Sequence, residues 1–387
     1  MLSPQPEVVI GLCKHGLFLT RNFIKHQIPV FAIESNFNQP SAKTRYGQKI
    51  HCKDLNGIEL IDVLLRLKNN FNQPTPIFPT NDKIVTNLIN NYDKIKDHYV
   101  LPFITSYNIE QLKDKNKLHK IAIENNLNIP TTYTLRNQKD LDEIANKIKF
   151  PVIIKPTLPM MSFKSKYCNT LDEITMQLES SIKKGESLLI QEWIQGDDRE
   201  IFFVGYYISK NGACTAKYSG RKLMSYPEGT GHATVTESYY IPDLVEKGIK
   251  FFNQIGYWGL CSIEFKQLNP SKSKFIEVTV GRTDWWIMCC AVNGVNIPMA
   301  AYCDITGQDI PFDNKQTNRY VWRDFECELP VLINIWIRNK WSLKERLLYL
   351  LKPKKDALFS WKDVKPFFVM LVQNFKKYYT ILKFNQN

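Results

Sequence analysis

Near the start of the chain, apolar blocks alternate with a stretch of helical periodicity. "PEVVIGLCKHGLFLTRNFIKHQIPVFAIES" reads as a strand at Val8–Ile10, a turn, a helix over roughly Gly16–Lys25 and a second strand at Pro29–Ile33. This βαβ pattern predicts a parallel sheet with helices on its faces. Gly11 and Gly16 punctuate the first turn. They do not make GxGxxG, and no GxxxxGK[ST] occurs, so the dinucleotide and P-loop readings gain little. "PIFPTNDKIVTNLINNYDKI" repeats the strand-then-helix pattern, and the first domain is expected to end near Leu112.

Further along, "DKNKLHKIAIENNLNIPTTYTL" predicts a helix and then an extended segment through Pro130. "LDEIANKIKFPVIIKPTLP" predicts a helix and the strand Val152–Lys155, ended by Pro156. "LDEITMQLESSIKKGESLLIQEWIQGDDREIFFVGYY" predicts a helix, the strand Leu188–Gln191 and, after Gly196, a longer strand. Asn211-Gly212 is a hairpin signal, because tight two-residue turns need positive φ. The helix "LVEKGIKFFNQIG" precedes two apolar strands, "CSIEFKQLNPSKSKFIEVTV", joined through Asn269–Lys272. Beyond about Gln316 the pattern weakens. "WSLKERLLYLLKPKK" and "VKPFFVMLVQNFKKYYTILKF" are amphipathic, basic and aromatic, which fits helices packed on the body and equally helices on an anionic membrane surface.

Composition narrows the class. The chain has 387 residues, 44% hydrophobic and 23% charged, enough for two or three packed domains of ordinary globular make-up. No apolar run approaches the ~18–20 residues of a membrane helix. "MLSPQPEVVIG" lacks a charged region followed by an apolar one, so no secretion signal is expected. Nine cysteines, Cys289 and Cys290 among them, form no CxxC pair. Reduced, buried thiols of a cytosolic protein are expected rather than zinc ligands. Net charge is +13, which favours anionic partners or merely solvates helix faces. No RNP motif, zinc finger or arginine stripe supports nucleic-acid binding.

Charge inside an apolar strand changes the picture most. "FIEVTVGRTDWWIMCCAVNG" puts Glu277 in a strand and follows it with Arg282 and Asp284. A turn centred between Pro270 and Ser271 pairs Glu277 with Glu264 on one face, Cβ atoms ~5 Å apart, where like charges repel. Two readings stay open. A divalent cation lies between the acids, with Thr279 adding a hydroxyl from the same face, or each acid pairs with a lysine such as Lys266 or Lys274. Lys155 ends its strand where an ammonium suits phosphate. The backbone at Glu192–Ile194 suits an adenine edge, and Asp198 lies close enough to Gly196 to reach a ribose. "KYSGRKLMSYPEGTGHAT" reads as a basic, glycine-bearing loop suited to covering phosphates. His232 reads as structural before catalytic, and Trp285 and Trp286 as core before sugar-lining.

The order of these motifs resembles the ATP-grasp superfamily, the fold of biotin carboxylase and D-alanine–D-alanine ligase, over roughly residues 7–310. "FPVIIKP", "LIQEWIQGDD" and "SIEFK…FIEVTVGRTDWW" carry it, and "TVGRTDW" is similar to predicted carboxylate–amine ligases associated with surface-polysaccharide clusters. The resemblance implies α/β and α+β architecture: an N-terminal parallel pre-ATP-grasp domain over 1–112, an ATP-grasp domain of two lobes over 113–315, and a basic, aromatic helical extension over 316–387. It implies that Lys115 and Lys155 hold ATP phosphates, that Gln191, Glu192, Trp193 and Ile194 bind adenine, and that Asp198 binds the ribose. Glu264, Glu277 and Thr279 would bind Mg²⁺ or Mn²⁺, Lys222 would reach the γ-phosphate, and Arg282 would stabilise the acyl phosphate or tetrahedral intermediate. Three departures stand out. Thr279 replaces the usual Asn, "TVGR" replaces "NPR", and the loop after Lys155 has no glycine, which points to Lys164 or Lys166 as phosphate ligands.

The expectation is an ATP- and Mg²⁺-dependent ligase that phosphorylates a carboxylate and couples it to an amine. Its companions are small-molecule substrates, no nucleic acid, and a cytoplasmic or peripheral inner-membrane location, with a membrane contact through the C-terminus and a homodimer left open. The rival is a non-catalytic ATP-binding scaffold at a membrane surface.

Overall fold

The computed structural model describes residues 4–104, 108–158, 162–163, 165–229, 231–267 and 273–384; the expected turn at Asn269–Lys272 and Lys164 lie outside them. The first blocks of apolar residues become β1 (Glu7–Ile10), α1 (Lys14–Lys25), β2 (Val30–Glu34), β3 (Gln48–His51), α2 (Ile58–Leu67), β4 (Thr75–Pro79), α3 (Asp82–Asn90), α4 (Tyr92–Ile95) and β5 (Tyr99–Val100). The strands form a parallel sheet of order β3-β2-β1-β4-β5. Every residue of β1 is buried, as a central parallel strand covered on both faces requires. Helix α3 starts where the Asn81 side chain accepts from Ile84 N at 2.9 Å, and this cap fixes Asp82 at the end of β4.

A second, four-stranded sheet follows. It is reached through α5 (Asn108–Lys113) and α6 (Lys115–Glu124) and includes β6 (Thr132–Leu135), α7 (Gln138–Ile144), β7 (Val152–Pro156), β8 (Lys166–Cys168), α8 (Leu171–Ile182) and β9 (Leu188–Glu192), in the order β6-β9-β7-β8. Strand alternation sorts its side chains: Val152, Ile154, Leu188 and Ile190 enter the core with α7 and α8, whereas Ile153, Lys155 and Gln191 line a cavity on the other face.

The third sheet holds β10 (Ile201–Ile208), β11 (Cys214–Tyr226), β12 (His232–Ser238), β13 (Gly259–Gln267) and β14 (Ser273–Val280), with α9 (Pro242–Gln254) on it. After β14 come α10 (Trp286–Val292) and α11 (Ile297–Ile305), both buried. Then follow β15 (Val321–Arg323), α12 (Phe325–Ile337), α13 (Leu343–Leu351), β16 (Lys354–Asp356) and α14 (Lys365–Phe384). The sheet order is β14-β13-β10-β11-β12-β15-β16, so two short strands of the C-terminal region extend it while α12, α13 and α14 supply the expected helices. The expected loop "KYSGRKLMSY" is instead strand β11. Gly220 sits in it because the Phe203 ring occupies the space of a side chain, 2.4 Å from an added Cβ. Only the segment after Tyr226 turns, so Lys222 is a strand residue. Among the described residues no single helix is long and apolar enough to cross a membrane.

Candidate active site

One cavity of about 510 Å³ lies between the four-stranded sheet and the face of β11, β13 and β14, and the twelve residues to which the resemblance gives a role toward ATP, metal or acyl group all line it. Lys115 reaches it because its N–H donates to Thr157 O at 2.9 Å, tying the start of α6 to the end of β7. Lys155 Nζ donates to Gln191 Oε1 at 3.0 Å, and Gln191 Nε2 lies 3.4 Å from His119 Nε2. Burial, then Lys155 and Lys115, push His119 down to about 4, so it stays a neutral imidazole beside two ammonium groups.

The hinge differs in detail from the expectation. Glu192 donates its N–H to Thr131 O at 2.8 Å, and its carboxylate takes Lys274 Nζ at 2.7 Å, so Glu192 braces the strand and Trp193 and Ile194 alone lie beyond it. Lys274 thus pairs with Glu192 rather than with Glu277. Lys266 Nζ lies 4.7 Å over the Trp193 ring and donates to Gly196 O at 2.9 Å, holding the hinge rather than an acid of the hairpin. Asp198 lines the cavity with a carboxylate already held from behind, accepting from Ser225 N at 2.8 Å and Ser225 Oγ at 2.7 Å. Lys166 is also corrected: it donates to Gln177 on α8 and does not line the cavity.

The hairpin places Glu264 opposite Glu277 and Ser262 opposite Thr279. Lys222, from β11, brings its ammonium to 2.7 Å from Glu264 Oε2. Burial pulls the Lys222 pKa down, but Glu264, with Glu277 and Asp198 behind it, more than offsets this and holds the value above that of an ordinary lysine. The acid pair therefore already faces a cation. That is the chemistry of a divalent-cation site: two carboxylates and the Thr279 hydroxyl from adjoining strands. Mg²⁺ fits this donor set.

The segment after β14 answers why an arginine and a second acid follow Glu277. Gly281, at φ +73°, turns the chain where an added Cβ would meet Ile109 Cδ1 at 2.6 Å. Thr283 N then donates to Pro79 O at 3.3 Å, docking the turn on the end of β4. Arg282 extends between Asp82 at 3.0 Å and Asp284 at 2.6 Å. Burial would raise the Asp284 carboxyl, but Arg282 and then His15 hold it well below the usual range. Asp82, His119 and His15 were not singled out, since no local pattern marks them.

A second cavity of about 490 Å³ adjoins the first and shares His232, Asp284 and Trp285 with it. It opens at the carboxyl ends of β1 and β2, where Cys13–His15 and Gln39–Ser41 line it. Lys14 lies 2.6 Å from Asp324 and 2.8 Å from Glu326, and His15 Nε2 lies 2.8 Å from Thr80 O. Burial lowers His15, but the neighbouring Cys13 and Asp284 outweigh it and raise the imidazole to about 9. His232, expected to be structural, is exposed and borders both cavities. Trp286 is core as expected, whereas Trp285 walls both cavities.

Two sheets that close on a cavity lined by lysines and paired acids, behind a parallel α/β domain, define the ATP-grasp fold. A RimK-like ATP-grasp domain model matches residues 112–205. Solved structures agree in fold. The L-amino acid ligase of Bacillus licheniformis superposes with TM-score 0.63 at 13% identity, covering 83% of this chain and 80% of that one. The biotin carboxylase domain of a Hydrogenobacter thermophilus 2-oxoglutarate carboxylase, solved with MgADP, ADP and bicarbonate, gives 0.63 at 14%, covering 82% and 73%. Among curated proteins, the carbamoyl phosphate synthase large chain of a Thermoanaerobacter species is 30% identical over 198 residues, 45% of this chain. The chain spans only 18% of that relative's length.

Proposed function

We propose that the protein is an ADP-forming ligase that activates a carboxylate with ATP and joins it to an amine. The observation that carries this is the single cavity in which Lys115 and Lys155 face Lys222, Glu264 and Glu277 across the gap between two sheets. The fold neighbour named as an L-amino acid ligase and the neighbour solved with MgADP support it.

ATP enters with its base against Trp193 and Ile194 and its phosphates toward Lys115 and Lys155. Mg²⁺ held by Glu264, Glu277 and Thr279 would neutralise phosphate charge, as phosphoryl transfer requires. Lys222, fixed by Glu264, presents an ammonium from the opposite sheet to the transferring phosphoryl group. The carboxylate oxygen attacks the γ-phosphorus, ADP leaves, and the acyl phosphate forms beside Arg282. The amine, entering through the second cavity, then attacks the acyl carbon, the C–O bond to phosphate breaks, the departing phosphate carries away the proton the nitrogen loses, and the amide remains. Catalysis of this kind needs positioning and charge rather than a protein nucleophile. A cytoplasmic setting, where ATP is plentiful, belongs to the same proposal, as does the narrower class of carboxylate–amine ligases acting in surface-polysaccharide assembly.

The test is ADP release from ATP and Mg²⁺ in the presence of fractionated small metabolites. Release that depends on both a carboxylate and an amine supports the reading. Tight ATP binding without turnover in any fraction favours an ATP-binding scaffold, with Thr279→Asn as the substitution to restore turnover.

A further inference from the structure

We infer that α12, α13 and α14 form a surface that docks on an anionic lipid bilayer. Each helix buries one apolar stripe and leaves another in solvent. Val331 and Ile335 of α12 are buried, while Leu329, Ile333 and Ile337 are exposed at intervals of four, Ile337 by 75%. Tyr349 of α13 is buried, while Leu343, Leu347 and Leu351 are exposed at the same interval, Leu351 by 80%. Met370 of α14 is buried, while Phe368, Leu371, Val372 and Phe375 form the exposed stripe, Phe375 by 74%. Trp361, on the connection into α14, is 86% exposed. Outward apolar stripes on three helices whose inner faces are already satisfied exceed what scattered surface residues supply.

Charge selects the occupant. Residues 316–387 carry 14 Lys and Arg against 6 Asp and Glu, so this segment holds +8 of the chain's +13. Arg338, Lys344, Lys355, Lys362 and Lys365 are exposed within it. A second copy of the chain would bring the same positive surface and be repelled. A bilayer rich in acidic headgroups attracts the lysines and takes Leu, Ile, Phe and Trp into its boundary region. Helix α14 is also continuous with the second cavity: Gln373 lines it, and Asn374 donates to Glu326 at 3.3 Å. The helix that touches lipid is therefore also a wall of the proposed amine-entry cavity.

The inference stands apart from the ligase reading and is tested without turnover. The full chain is floated with vesicles of phosphatidylcholine alone and with vesicles in which a third is phosphatidylglycerol, at low and high salt. The protein should float with the acidic vesicles only, less so at high salt, and Leu351→Glu with Phe375→Glu should cut the bound fraction roughly tenfold. Both positions are solvent-exposed, so an unchanged melting temperature separates lost docking from lost folding. Absence of flotation with acidic vesicles overturns the inference. So does equal flotation of the double variant, or sedimentation showing self-association that the double variant abolishes while vesicles are ignored.

Discussion

Lys222 and Arg282 are both buried cations bordering the same cavity, yet they are built differently. Lys222, on β11, reaches across β10 to Glu264 on β13 of the same sheet, with Glu277 on β14 beyond it and the cavity open beside them. Arg282 is closed between Asp82 and Asp284, one from the parallel domain and one from its own turn. The first arrangement leaves charge available to a ligand, since an ammonium held by one carboxylate beside an open cavity can turn toward phosphate. The second uses most of the guanidinium's donors within the protein and ties the turn after β14 to α3. In the proposed reaction Lys222 therefore serves the chemistry first. Arg282 belongs first to the docking of one domain on the other, and only through that to the acyl group.

This contrast can be broken by substitution. Glu277→Gln should reduce metabolite-dependent ADP formation roughly a thousandfold with little change in melting temperature; activity within tenfold of the parent would remove Glu277 from the cation site. Lys222→Met should cost about a hundredfold in the same assay, and should also lower the melting temperature because it strips the cation from Glu264. Asp82→Ala should act the other way, lowering unfolding free energy by about 3 kcal/mol because it strips one partner from a buried guanidinium. Urea titration measures this, and an unchanged midpoint would show that the two domains are not joined there.

His119 sharpens the comparison through pH. Its folded value of about 4 lies below the ordinary 6.5, so the unfolded chain binds a proton that the folded chain refuses. Stability from this group is present above pH 6.5 and is lost as pH falls toward 4, by about 2 kcal/mol at pH 4.5. His119→Gln should flatten that part of the urea-midpoint profile. Arg282→Lys is the mildest change, costing about 1 kcal/mol because lysine cannot span two acids with a planar fork.

The difference also explains what was legible in the sequence. Glu264 and Glu277 sit on one hairpin, so counting residues about the turn pairs them, and the structure pairs them. Two offsets cancel in that count: the turn-side pairs, such as Phe265 with Phe275 and Gln267 with Ser273, lie one residue off the counted register, and the register shift between Glu264 and Phe265 brings the acids back onto it. Alternation likewise exposes Lys155 and Gln191 on one face of neighbouring strands. Arg282 could be seen, but its partner could not: Asp82 precedes it by two hundred residues and reaches it only because Thr283 docks on Pro79. Lys222 was read into a loop since Ser219, Gly220 and Ser225 look like turn residues. Tertiary packing decides otherwise, with Phe203 covering Gly220 and Asp198 taking Ser225.

The most direct measurement is nucleotide chromatography after incubating the protein and its Glu277→Gln variant with ATP, Mg²⁺ and a small-metabolite extract. The account predicts ADP that requires the extract and disappears in the variant, while both proteins bind ATP and melt alike. ATP left intact by the parent protein despite binding, or equal ADP from both, would contradict it.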